Sequence, residues 1–232
     1  MSKKRENSQS TNAEIRKIAL SISYPLAIEL GFDTEQLSTG WDTEEAREYL
    51  LKKWNIKERD LAKELLHYIE QEGERATYQI ILPYFLLAED KENRKKILEE
   101  RYMAIDRFIR YSDNLSDCLP CLKDTGIFSP KKSDYERGTL AWDMALLVTI
   151  ARISFDAKYI EEKEALQYID TAYEHCRRTF RNWNEIGKSF VLGEAMRKGN
   201  DLSFAKTLVL IQIALTQDNG IWNNDSFKND TP

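Results

Sequence analysis

The sequence predicts an all-α protein, a single helical domain of about eight helices around a buried central helix at about residues 139–155. Three observations carry that expectation. Turn-making residues are scarce, with nine Gly and five Pro among 232 residues, and that scarcity favours long helices over many short strands. Leu140 to Phe155 is apolar on nearly every helical face, and such a helix must be surrounded by others. Glu162 to Phe180 then places Ala165, Leu166, Ile169, Ala172, Tyr173, Cys176 and Phe180 on one side at the helical period. A buried spine followed by a one-sided cover helix is a core, and the rest of the chain is expected to wrap it.

Taken in order, residues 1–12 are polar and charged, and a disordered tail is expected there. Thr11 with Glu14 is a capping-box signature for a first helix, which must adjust at Tyr24-Pro25 and close at Gly31. Asp42 with Glu45 opens a helix bearing Ala46, Tyr49, Leu50 and Trp54. The next helix, about Lys57 to Glu72, is expected to bury Leu61, Leu65, Tyr68 and Ile69 and to stop at Gly73. Tyr78 to Leu87 has the β-branched and aromatic content of a strand, but Pro83 in its middle is poorly tolerated there, so a kinked helix is expected. Glu92 to Tyr111 reads as one helix. These elements make residues 13–112 an N-terminal helical layer. Residues 113–138 read as an irregular connection and 139–222 as the core. Asp201 to Thr216 is a further buried helix within it, and 223–232 is a polar tail.

Charge and cysteine usage bound the function classes. The net charge of −5 argues against nonspecific binding to nucleic acid or to anionic membranes, both of which need a basic face. The longest apolar run, Leu208 to Leu215, is interrupted by Gln212 and is far shorter than the ~20 residues of a membrane helix. Met1 to Asn12 lacks the apolar core of a signal peptide. Three cysteines, an odd number, suit a reducing compartment, and a cytoplasmic location is expected.

The residues that carry chemistry are few. Cys118-Leu119-Pro120-Cys121 resembles a redox dithiol, but no strand pattern precedes it. As half a zinc site it needs two more ligands, and His175 and Cys176 diverge by ~100° on a helix. Neither a metal nor a cofactor is expected. With only His67 and His175 in the chain, nucleophilic catalysis has almost no candidate base. No nucleotide-binding or metalloprotease motif occurs. The polar residues of the spine are the remaining candidates: Arg152 and Asp156 fall on one side and Asp143 nearly opposite. A functional reading makes them a pocket for an anionic group. The structural reading is an Arg152–Asp156 i,i+4 pair, with Asp143 satisfying the first turn of its helix. Trp142 and Trp183 are core aromatics first and partner anchors second.

One order of segments stands out. It runs Ala141-Trp142-Asp143, Ala151-Arg152, Tyr159-Ile160 with Glu164-Ala165, Phe180 with Trp183, and Leu192-Gly193. Upstream stand Trp54-Asn55-Ile56 and Glu72-Gly73-Glu74-Arg75. This order resembles the bacterial domain-of-unknown-function family 1266, from about Leu20 to Trp222. The resemblance also implies two departures, Leu146 and Glu194, each standing where the family pattern has an arginine. It brings no activity with it. The function expected is that of a non-enzymatic helical binding or regulatory protein whose partner is another protein, in one concrete version an immunity- or antitoxin-like protein that neutralises a basic toxin. The alternative is an enzyme built around Asp143, Arg152 and Asp156.

Overall fold

The computed structural model describes residues 14–87, 90–103, 105–125, 129–217, 222–223 and 227. Among these residues the regular elements are helices and no strand occurs. In chain order they are α1 (14–21), α2 (Tyr24–Leu30), α3 (Thr43–Trp54) and α4 (Arg59–Gln71). Next come α5 (Gly73–Leu87), α6 (Lys91–Arg101), α7 (Asp106–Asp124) and α8 (Lys132–Arg137). Then follow α9 (Leu140–Asp156), α10 (Glu162–Thr179), α11 (Trp183–Lys198) and α12 (Leu202–Thr216). The polar tail expected at 1–12, and the capping Thr11, lie outside the described residues, as does most of 223–232.

The helices outnumber the eight expected, for local reasons. The turn at Ile22–Ser23 separates α1 from α2, and Pro25 sits in the first turn of α2, where its missing N–H leaves no helical bond unmade. Glu92 to Tyr111 is two helices rather than one, broken at Tyr102 and Met103, where Met103 takes φ +52°. Asp113 to Lys132, expected to be irregular, continues as α7 to Asp124. Phe108, Tyr111, Leu115, Cys118 and Leu122 repeat at three- and four-residue steps and are all buried.

The chain divides into two compact units interleaved along the sequence. One unit comprises Met1–Gln71, Met144–Arg181 and Asn224–Pro232. Within it, Asp42 caps α3 by accepting from the backbone N–H groups of Glu44 and Glu45, and Glu45 returns a bond to Asp42, completing the expected capping box. The α4 stripe is Ala62, Leu66 and Ile69, one residue on from the expected Leu61/Leu65 face; Tyr68 is exposed. α10 packs on α4 and buries Ala165, Ile169, Ala172, Tyr173 and Cys176 as expected, with Leu166 half-buried. The run Met144 to Ser154 of α9 is buried at every position.

The other unit comprises Glu72–Asp143 and Asn182–Asn223. α11 packs against α7, α12 and α8 here. Trp183, Ile186, Gly187 and every residue from Ser189 to Met196 are buried, so α11 is a second central helix that the sequence reading did not single out. Trp183 stacks on Trp222 with ring centroids 5.4 Å apart. Gly187 faces Leu215 and Ile211 of α12, where a larger residue would press on both. Asp134 joins α8 to α11: it pairs with Arg137 at 2.9 Å and Lys188 at 3.2 Å, and Arg137 pairs in turn with Glu185 at 2.9 Å.

Candidate functional site

The five residues singled out from the sequence sort into two clusters and one core contact. The first cluster gathers around Asp143. In its helix, α9, Ala141 to Asp143 of the first turn are buried, and the carboxylate points at the N-terminus of α5. One oxygen accepts from the backbone N–H of Glu74 at 2.9 Å. The other accepts from the backbone N–H of Arg75 at 3.0 Å and from its guanidinium at 2.9 Å. A helix start carries unsatisfied N–H groups and the positive end of the helix dipole, and here a side chain from a distant segment supplies the cap. The close approach needs Gly73, which takes φ +58° and on which a Cβ would stand 2.3 Å from the Asp143 Oδ2. Burial pushes the Asp143 carboxyl up to about 6, opposed by the Arg75 and Glu74 donors. The sequence reading placed Asp143 at the first turn of its own helix; the structure spends it on the first turn of another.

Trp142 belongs to the same cluster. Its ring is 2 % exposed, Arg197 lies over its face at 4.3 Å, and its Nε1 has no hydrogen-bond partner. Gly193 admits it, since a Cβ there would fall 2.4 Å from the Trp142 Cβ. Glu194, next along α11, is 1 % exposed and pairs with Lys198 at 3.2 Å, one turn on. Leu146, on α9, is buried. Gly73, Arg75, Gly193 and Glu194 complete this cluster. The sequence quoted their segments, but nothing in the spacing joins Gly73-Glu74-Arg75 to Trp142-Asp143.

The second cluster holds Arg152 and Asp156. Both side chains reach the loop between α2 and α3. Arg152 is fully buried and donates Nε–H to the carbonyl of Leu37 at 3.1 Å, and Nη2–H to the carbonyls of Ser38 at 3.2 Å and of Asp33. Its guanidinium lies over the Phe32 ring at 5.5 Å. Asp156 accepts from the backbone N–H of Thr39 at 2.7 Å and from its hydroxyl at 2.6 Å. No Arg152–Asp156 ion pair within 4.0 Å is present, so the expected i,i+4 pair is replaced by a shared hold on one loop. Burial brings Arg152 down to about 10, opposed by the nearby charges of Asp33 and Asp156. Trp183 forms its ring contact with Trp222.

The thiols behave as packing residues. Cys118 is fully buried in the α7 stripe with Sγ 3.8 Å from the Ala195 carbonyl, and burial pushes its thiol up to about 12. Burial raises Cys176 as well. Among the described residues no group of three or more His, Cys, Asp or Glu is arranged to hold a metal ion, and no helix is long and apolar enough to cross a membrane.

No curated protein and no solved structure matches the chain. Residues 49–227, most of the sequence, match the family model described as "Protein of unknown function (DUF1266)". With that family model spanning about three quarters of the sequence, the chain belongs to the DUF1266 family.

Proposed function

We propose that this protein is a non-enzymatic helical binding protein whose partner is another protein. One observation carries the reading. Asp143, Arg152 and Asp156 each direct their hydrogen bonds at backbone groups of a distant segment, which is the use of a buried polar residue that fixes a fold. An acidic chain, net charge −5, fits an immunity- or antitoxin-like role in which it meets a basic partner, because complementary charge speeds encounter and excludes wrong partners. The test is isolation of a complex. A tagged chromosomal copy, purified at low salt, should bring down a basic protein in stoichiometric amount, and that complex should weaken steeply as salt rises.

A second reading, a catalyst at Asp143, is favoured by one feature. A buried carboxyl raised to about 6 is suited to proton transfer near neutral pH. Turnover of any small-molecule substrate by the wild type, lost in Asp143→Asn while the fold is kept, would establish that reading and overturn the first.

A further inference from the structure

α12 is apolar on both its faces. Phe204, Thr207, Leu208, Ile211 and Ala214 are buried against the protein. On the opposite side Leu202 is 83 % exposed, Val209 57 % and Ile213 38 %, with Ala205 exposed between them. Single exposed apolar residues are ordinary, but four along about 16 Å of one helix form a continuous stripe that favours a cover. Segments 1–13 and 228–232 are polar, with Met1, Ala13 and Pro232 as their only apolar side chains.

We propose that α12 is a self-association surface, on which a second copy of this chain lies antiparallel. Two features favour a second copy. Leu202, Val209 and Thr216 recur every seven residues, with Ala205 and Gln212 between them, which is the spacing of a helix-pair seam. Turned about Val209, an antiparallel mate sets Ala205 against Ile213, small against large, Lys206 against Gln212, and Val209 against itself. The second feature is charge. Two chains of net charge −5 repel wherever acidic surfaces meet, and α12 is the one helix from α2 to α12 with neither Asp nor Glu. Its single charged residue, Lys206, faces a neutral amide across that pairing.

The experiment is sedimentation velocity of the full chain over a concentration series into the high micromolar range. The wild type should shift from monomer to dimer, and Val209→Glu, which sets two carboxylates against each other on the axis, should weaken association about a hundredfold or more with an unchanged circular dichroism spectrum. Because a glutamate could also disturb folding, Val209→Cys in a Cys121→Ser background supplies an independent readout. Mild oxidation with diamide should link two copies through position 209, while Ser203→Cys, on the flank of the helix, should stay unlinked. A wild type that remains monomeric, a Val209→Glu protein that still dimerises, or equal linking at 203 and 209 would each overturn the proposal. The last two outcomes would assign the contact to another face or to a different partner.

Discussion

Gly193 and Trp142 touch so closely that a single methyl group between them cannot be placed: a Cβ on Gly193 would lie 2.4 Å from the Cβ of Trp142. That atom is near the tryptophan backbone and cannot swing aside. Gly193→Ala is therefore expected to destabilise by about 1–3 kcal/mol, even though alanine favours a helix over glycine by about 1 kcal/mol. Gly187→Ala is the control. There the nearest atoms are the ends of Leu215 and Ile211, at 3.2 and 3.3 Å, and these can yield. Its effect should stay within about 1 kcal/mol. Urea denaturation of both variants checks the contrast, and equal effects would refute it.

Asp143 gives the protein a pH dependence of unusual sign. Its folded carboxyl is raised by burial to about 6, above the ordinary aspartate value of 3.8. The native state then holds the proton more tightly than the unfolded chain. This contribution to stability is complete below about pH 4 and is lost as pH rises towards 6, at most about 3 kcal/mol in all. Asp143→Asn should remove that slope. Denaturation midpoints at half-unit steps from pH 4 to 7, compared between the two proteins, test it. Parallel profiles would show that the Arg75 and backbone donors keep the carboxylate charged throughout.

Arg152 and Asp156 couple through the loop they share. Arg152→Met leaves three carbonyls without their donor and should cost about 3–5 kcal/mol. Asp156→Asn loosens Thr39 and should cost about 1–3 kcal/mol. The double variant should lose less than the sum, because one substitution already frees the loop the other would release. Hydrogen exchange at the Thr39 amide separates this from a direct ion pair: either single variant should speed it. Full recovery of stability in the double variant would instead show that the two charges answer each other.

Cys118 and Cys121 should part company. Cys118→Ser puts a hydroxyl in the packed α7 stripe and should cost about 1–3 kcal/mol, whereas Cys121→Ser, half-exposed, should stay within about 0.5 kcal/mol. Thiol labelling of the native protein should reach Cys121 first. Faster labelling at Cys118 would mean that α7 opens.

What could be read from the sequence followed from how plainly each helix shows its burial. α10 has one apolar face and α9 has them all, so both were legible. α11 is as buried as α9, yet Gly187, Ser189, Gly193 and Glu194 dilute its apolar pattern. α7 keeps a regular stripe, but Asp, Ser, Asn and Pro120 around it give the composition of a loop. The α4 face was misplaced by one residue because Leu61 and Leu65 flank a narrower true stripe through Ala62. For the candidate site, the residues were legible and their pairings were not. Nothing local links Arg75 to Asp143, which lie 68 residues apart, or Arg152 to the carbonyls of residues 33–38, which every residue carries alike.

The interleaving of the two units has a consequence for the order in which the chain can fold during synthesis. Residues 14–71 await Met144–Arg181, and residues 72–143 await Asn182–Asn223. Neither unit is complete when its first segment leaves the ribosome. The amide groups of Glu74 and Arg75 are made some seventy residues before the carboxylate that caps them. The early helices must wait with their apolar faces open, a state in which transient chaperone contact is favoured. A stalled chain ending near residue 140 should accordingly be protease-sensitive along its whole length, and protection should arrive in two steps, after residues 181 and 223 emerge.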